Sequence, residues 1–338
     1  MKFIMTAAAV AFAIVSTLQA DDNFDVATLD IPGNALNIIH FTVPTSGSPV
    51  VAITKTIALP SGADFLVRNA GCDHIYTSAG NQIVDLNVSA STTTSTVTTA
   101  RMRRLQITNP NCLCFGVSPI IGKPAFQSSP LPALAPAEVA NPATTRFSDL
   151  TALSAGGDAF LAAVREVTGT DHGEVHRLNA SSCPPTLVST FDIGANKAAF
   201  AIAPISPTTA FVSVLGEKDL QIVNFTAATI RPAGIVNLPP KPRLVRRLDS
   251  LPNRHYVIDL DGQISFLDSG ATPPTILQNL VAGGSPSVAL VDPANKWLVV
   301  LDRTKSDARL FAISGNNVDP TPRVAPMTVP VNDAVMLP

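Results

Sequence analysis

The sequence predicts an all-β fold, a β-propeller of seven blades with six as the alternative count, in which the C-terminal strand completes the first blade. Three observations predict it. Short alternating strands recur at a fixed period of about 45 residues, each period divides into four strand-like runs, and the two ends of the chain complement one another. The 338 residues are 46% hydrophobic but only 14% charged and 5% aromatic, with 29 Pro, 19 Gly and a formal charge of -2. That balance excludes a disordered tail, a collagen-like chain and a strongly basic nucleic-acid binder.

In chain order, residues 1–20 come first. MKFIMTAAAVAFAIVSTLQA has Lys2, an apolar run from Phe3 to about Val15, and smaller or polar residues ending at Ala20. This is the layout of a secretory signal peptide, with an uncleaved N-terminal anchor as the alternative. Residues 21–338 are then one domain of a secreted protein, with no further stretch apolar enough to span a membrane. Its start, FDVATLDIP and NALNIIHFT, reads as a second and a third strand, so the first blade lacks an innermost strand. VNDAVMLP at 331–338 matches the innermost strands ADFLVRN and RLQITNP, and supplies the missing one. Closure of this kind removes exposed sheet edges.

The period is read from third strands. QIVDLN, EVHRLN, LQIVN, QISFLD and RLFAIS end at Asn87, Asn179, Asn224, Asp268 and Ser314, separated by 92, 45, 44 and 46 residues. The first gap is two periods, which places a missing member near 133, just after KPAFQSSPLP. Blade six shows the unit: RLVRRLDS, RHYVIDLD, a tight turn at Asp261-Gly262, QISFLDS, and a Pro-rich passage into TILQNLV. Each run is short, β-prone and bounded by Gly, Pro or Asp. The outer part of blade three, SPLPALAPAEVANPATTR, is the least strand-like stretch and reads as a long loop.

Cys72, Cys112, Cys114 and Cys183 are an even number in a chain bound for an oxidising compartment, which favours one or two disulfides, with three pairings open for two bridges. Cys112-Leu-Cys114 is too tight for a structural zinc site. Asn87, Asn179 and Asn224 begin sequons that carry glycans in a eukaryotic host.

The segment GGSPSVALVDPANKWLVVLDRTKSDARLFAIS, residues 283–314, is similar to the repeat of lactonase-like secreted or periplasmic propellers, in which a Ser-Pro and an Asp-Pro-x-x-Lys turn precede an aromatic-Leu-Val-Val strand. VATLDIP and FSDLTALSAGGDAFLAA also resemble repeats of fungal secreted propellers of the hetero-Diels-Alderase type. The resemblance implies a fold rather than an activity, since such propellers include lactonases, cyclases, ligand-binding proteins and scaffolds. Metal-dependent lactonases of this fold hold a cation with Glu, Asn and Asp on inner strands, and the inner strands here offer mainly Asp149. No metal and no cofactor is implied, and no G-x-S-x-G, Walker, Rossmann or H-E-x-x-H pattern occurs.

Candidate residues then come from geometry. In a propeller, the loops between second and third strands share one rim with those entering the inner strands. From the second strand to the end of the third, Phe160 to Asn179 is 19 residues and Leu298 to Ser314 is 16, against 12 or 13 in blades two, five and six. Blades four and seven are therefore expected to carry longer rim loops. These are rich in charge: Arg165, Glu166, Asp171 and His172 in blade four, Asp302, Arg303 and Lys305 in blade seven, joined by Glu217 and Lys218 of blade five. A carboxylate beside His172 suits acid-base chemistry; the plainer reading is solvated loop tips. Arg104, Asp149, Lys197, Arg243 and Asp333 lie near the starts of inner strands and are candidates for the channel mouth, where they would ligate a molecule or neutralise one another. The Arg243, Arg246 and Arg247 group reads as a solvated connection, with an anion site as the alternative.

Two functions follow from this. The first is a secreted, monomeric binding module that holds a small-molecule ligand or an extracellular protein at the rim and channel. The alternative is an enzyme of small-molecule or secondary metabolism, a lactonase, cyclase or hetero-Diels-Alderase-like protein, whose channel supplies a few acid-base groups.

Overall fold

The computed structural model describes residues 21–337 except 69–73, 98–103, 110–111, 117–125, 131–136, 140–144, 153–158, 168–169, 180–185, 215–216, 219, 225–228, 233–237, 239–241, 249–250, 252, 260, 283, 305–306 and 316; the strands within 96–147, 152–171 and 229–232 are described by backbone alone. The sequence readings of the first twenty residues, Lys305, Cys72 and Cys183 lie outside the described residues, as do those of the side chains of Arg104, Arg165, Glu166 and Asp171. Every regular element among the described residues is a strand, and none of them forms a helix long and apolar enough to cross a membrane.

The strands fall into successive antiparallel sheets. The first contains β1 (Asp22–Asp30), β2 (Ala35–Val43) and β3 (Val50–Ala58). The second is β4 (Ala63–Arg68), β5 (His74–Ala79), β6 (Gln82–Asn87) and β7 (Thr92–Val97), and the third is β8 (Arg104–Asn109), β9 (Cys112–Gly116), β10 (Phe126–Pro130) and β11 (Ala137–Val139). The fourth comprises β12 (Thr145–Ala152), β13 (Ala159–Val167), β14 (Thr170–Asn179) and β15 (Thr186–Ala195); the fifth, β16 (Ala199–Ser206), β17 (Thr209–Val214), β18 (Leu220–Asn224) and β19 (Thr229–Pro232). The sixth runs β20 (Pro242–Arg247), β21 (Arg254–Asp259), β22 (Gln263–Asp268) and β23 (Thr275–Val281). The last is β24 (Pro286–Val291), β25 (Trp297–Asp302) and β26 (Asp307–Ser314), with β27 (Asn317–Val318) and β28 (Arg323–Pro326) both paired to β26. β29 (Asp333–Met336) returns to the first sheet and pairs with β1, placing Asp333 opposite Leu29 and Met336 opposite Val26.

First strands of neighbouring sheets adjoin around an axis: β29 touches β4 and β24, β4 touches β8, β8 touches β12, β12 touches β16, and β16 touches β20. This is a β-propeller arrangement. The five third strands end at Asn87, Asn179, Asn224, Asp268 and Ser314, the residues that carry the period in the sequence. β10 ends at Pro130, near the position of the missing member, and the outer part of blade three contains the short strand β11 rather than loop throughout.

Burial explains the sequence pattern strand by strand. Second and third strands such as β5, β21, β22 and β25 are buried at consecutive residues, because each sheet is covered on both faces by its neighbours; hence runs such as WLVVLD. Outermost strands alternate or lie open, and β23 exposes Leu277 and Val281. The core clusters sit between sheets. Phe24, Ile39 and Phe41 pack on Val299, Leu301 and Leu310 between the first and last sheets, while Tyr256, Ile258 and Phe266 pack on Leu298 and Phe311 between the sixth and seventh.

Candidate functional site

The inner strands enclose a cavity of about 460 Å³. A repeated irregularity sets its wall. Near the starts of β4, β12, β16, β20 and β24, the register against the second strand skips one residue: between Asp64 and Leu66, Phe147 and Asp149, Ala199 and Ala201, Pro242 and Leu244, and Pro286 and Val288. The residues in those gaps, Phe65, Ser148, Phe200, Arg243 and Ser287, all line the cavity. A bulge leaves one residue out of the ladder and re-aims its side chain. Each of these blades thereby contributes one side chain to the axis. Phe65 has φ 58°, a left-handed conformation seldom taken by a bulky residue, and its carbonyl accepts a hydrogen bond from Thr77 Oγ1 at 2.8 Å.

The charged groups of the cavity differ in how they are held. Arg246 donates from Nη1 to Asp149 Oδ2 at 2.6 Å and from Nη2 to Oδ1 at 3.0 Å, a two-pronged pair whose carboxylate is buried. The backbone amide of Ile202 donates to the same Asp149 oxygen at 2.9 Å, so blades four, five and six meet in one clasp. Burial opposes the charge on Arg246, yet the charge and hydrogen bonds of Asp149, with smaller contributions from Tyr256 and Asp333, hold its pKa above the ordinary arginine value. Asp333 Oδ2 accepts the Leu66 amide at 2.8 Å and ties β29 to blade two.

Arg243 and Arg303 are held differently. Both line the cavity, and neither side chain makes an ion pair or hydrogen bond to a described residue. Arg303 Nε is buried without a partner. Burial and the neighbouring charge of Arg303 push the pKa of Arg243 below its ordinary value. Beside them, Asn332 accepts the Ile31 amide on Oδ1 at 3.1 Å, which leaves its NH2 as a donor in the lining.

The other candidates fall elsewhere. The long rim loop expected in blade four is a longer hairpin instead: β13 and β14 extend until Val167 faces Thr170, and Arg165, Glu166, Asp171 and His172 lie on these strands. His172 Nε2 is 2.9 Å from Asp192 Oδ1 and 3.9 Å from Glu174 Oε1, and Glu174 Oε2 is 2.7 Å from His176 Nε2. Glu217 pairs with Lys197 at 3.1 Å, and Lys218 is exposed. His172, Glu217 and Lys218 do not line the cavity. Asp302 is buried and accepts the Ser285 amide at 2.8 Å together with the Thr304 amide and hydroxyl at 2.7 and 3.0 Å, so it shapes the loop that presents Arg303. The reading of Arg246 as solvated is corrected by its clasp with Asp149. Cys112 and Cys114 stand two apart on β9 and so share one face of that strand. Among the described residues no three His, Cys, Asp or Glu side chains gather where one ion would reach them.

The fold and cavity define a β-propeller with an open, polar-and-apolar axial site. No family model matches the chain, and no curated protein matches it in sequence. Solved structures do match it as a fold. A protein from Lactobacillus plantarum aligns with a TM-score of 0.71 at 13% identity, over 94% of this chain and 100% of that one. A 6-phosphogluconolactonase-like protein of Bacteroides fragilis aligns at 0.68 and 12% identity, over 96% and 99%. Dihydro-heme d1 dehydrogenase NirN in complex with DHE aligns at 0.61 and 10% identity, over 95% of this chain and 65% of that one. The lactonase-like resemblance of the sequence is therefore matched by a likeness of fold.

Proposed function

We propose that this protein is a secreted, seven-bladed propeller, one domain over residues 21–338, that binds a small molecule in the mouth of its central channel. The observation that carries the reading is the cavity of about 460 Å³, whose wall mixes Phe65, Phe200 and Leu244 with Arg243 and Arg303, neither of which forms an ion pair with a described residue. Pockets of roughly 300–1,000 Å³, mainly apolar with a few placed polar groups, are the usual form of small-molecule sites. The same fold in NirN is recorded in complex with DHE, which supports a ligand-holding role without supplying its identity.

The test is a thermal-shift screen against a metabolite library, repeated with Leu244→Trp to fill the cavity. One-to-one binders that raise Tm in the natural chain and do nothing in the filled variant are the expected result; binders unaffected by the filling would move the site off the channel. Amino-terminal sequencing of the secreted protein is expected to begin at Asp21.

A further inference from the structure

We propose that the channel mouth is an anion subsite in which Arg243 and Arg303 together grip a carboxylate or phosphate group of the ligand, while Phe65 and Phe200 face its apolar body. The inference rests on the channel-binding reading and adds the class of ligand. Four arginines, Arg243, Arg246, Arg247 and Arg303, line the cavity against three aspartates, Asp64, Asp149 and Asp333. Asp149 is taken by Arg246, and Asp333 by the Leu66 amide. Neither Arg243 nor Arg303 forms an ion pair with any of the three. The lining therefore carries more arginine than aspartate, and two guanidinium groups close enough to repel one another, neither paired with a described carboxylate, favour the entry of an anion.

Local structure points the same way. Arg243 occupies the bulge of β20, which turns it out of the ladder into the cavity. Arg303 stands on a loop that Asp302 fixes through three hydrogen bonds, yet its own Nε is buried and unsatisfied. The flat guanidinium fork matches two oxygens of a carboxylate or phosphate. The depressed pKa of Arg243, caused by burial and by Arg303, is the electrostatic sign of the same crowding. The NH2 of Asn332 adds a neutral donor.

The experiment is calorimetry and thermal shift at low salt with four probes: phenylacetate, phenyl phosphate, and their neutral counterparts phenylacetamide and phenol. They are tested on the natural chain, Arg243→Met, Arg303→Met and Leu244→Trp. The natural chain is expected to bind one or both anions in preference to the neutral probes, with the tighter anion identifying the headgroup. Either methionine variant should weaken that binding by about tenfold or more. Without probe, Arg303→Met should fold with a Tm equal to or above that of the natural chain, since its side chain pairs with no described residue. Anions and neutral probes that bind equally well, and stay unaffected by either methionine change, would overturn the anion subsite while leaving channel binding intact. Probes that bind equally to the Leu244→Trp variant would overturn both. A clear loss of Tm in ligand-free Arg303→Met would make Arg303 a structural residue and contradict the proposal.

Discussion

One strand, β20, carries two arginines three positions apart with opposite circumstances. Arg246 is locked by both oxygens of a buried carboxylate and crosses blade five to reach it, whereas Arg243, set out by a bulge, faces an open cavity and another arginine. The pairing that makes Arg246 a fastener of the ring removes it from any ligand. Arg243 and Arg303 forgo that pairing and remain available. Residue type therefore says little here, and the presence or absence of a protein partner separates scaffold from site.

The comparison breaks most visibly at the clasp. Asp149→Ala leaves the Arg246 charge without its hydrogen-bonded carboxylate, and should reduce stability by about 3–5 kcal/mol in chemical denaturation. Replacing both, as Asp149→Leu with Arg246→Met, should recover much of that loss, because the stranded charge is gone. A single variant as stable as the natural chain would remove the clasp as a structural element.

His255 sharpens the contrast from the side of a titratable group. Its Nε2 donates to the Pro204 carbonyl at 2.7 Å, its ring meets Phe211 edge-on at 5.1 Å, and it is fully buried. Burial first, opposed by that hydrogen bond and joined by the charge of Arg247, lowers its pKa to about 4. The unfolded chain takes up this proton near pH 6.5 and the folded chain only near pH 4, so the unfolded state binds more protons between them and stability falls as pH drops through that window. The contribution is about 3 kcal/mol. His255→Gln should flatten that part of the stability-pH curve, measured by denaturation at pH 7 and pH 4.5; an unchanged slope would place the transition on other groups.

Asp333→Asn should cost only about 1 kcal/mol, since the Leu66 amide keeps an acceptor while Arg246 loses a nearby negative charge. Arg243→Met stands at the small end, with a change within about 0.5 kcal/mol expected in ligand-free protein, as for a side chain without an ion-pair or hydrogen-bond partner among the described residues.

The scaffold was legible because its signals are periodic. Third strands ending at Asn87, Asn179, Asn224, Asp268 and Ser314 keep their spacing whatever their side chains, and VNDAVMLP repeats the pattern of an inner strand far from its partner β1. The channel was legible only in part. Asp149, Arg243 and Asp333 lie in its lining, but the bulges that aim Phe65, Ser148, Phe200 and Ser287 inward are not legible locally, because each shifts the alternation by one residue at the very start of a strand too short to display the shift. The spacing of 19 in blade four reads equally as a long loop or as long strands, and polar residues such as Glu166 and Asp171 favour the loop reading although they sit on strands. The fate of each charge was the least accessible feature. Asp302 and Arg303 read alike in the sequence as charges of a rim loop, whereas in space Asp302 turns inward to cap its own loop and Arg303 lines the cavity without a described carboxylate partner.

On the proposed reading, Arg243 and Arg303 at the channel mouth hold a small anion. Native mass spectrometry of the protein taken from its natural source tests it most directly. The account predicts a one-to-one non-covalent adduct that releases an organic acid or phosphate on denaturation, and its absence from the Arg243→Met, Arg303→Met double variant. A neutral adduct, or the same acidic adduct retained by the double variant, would contradict it.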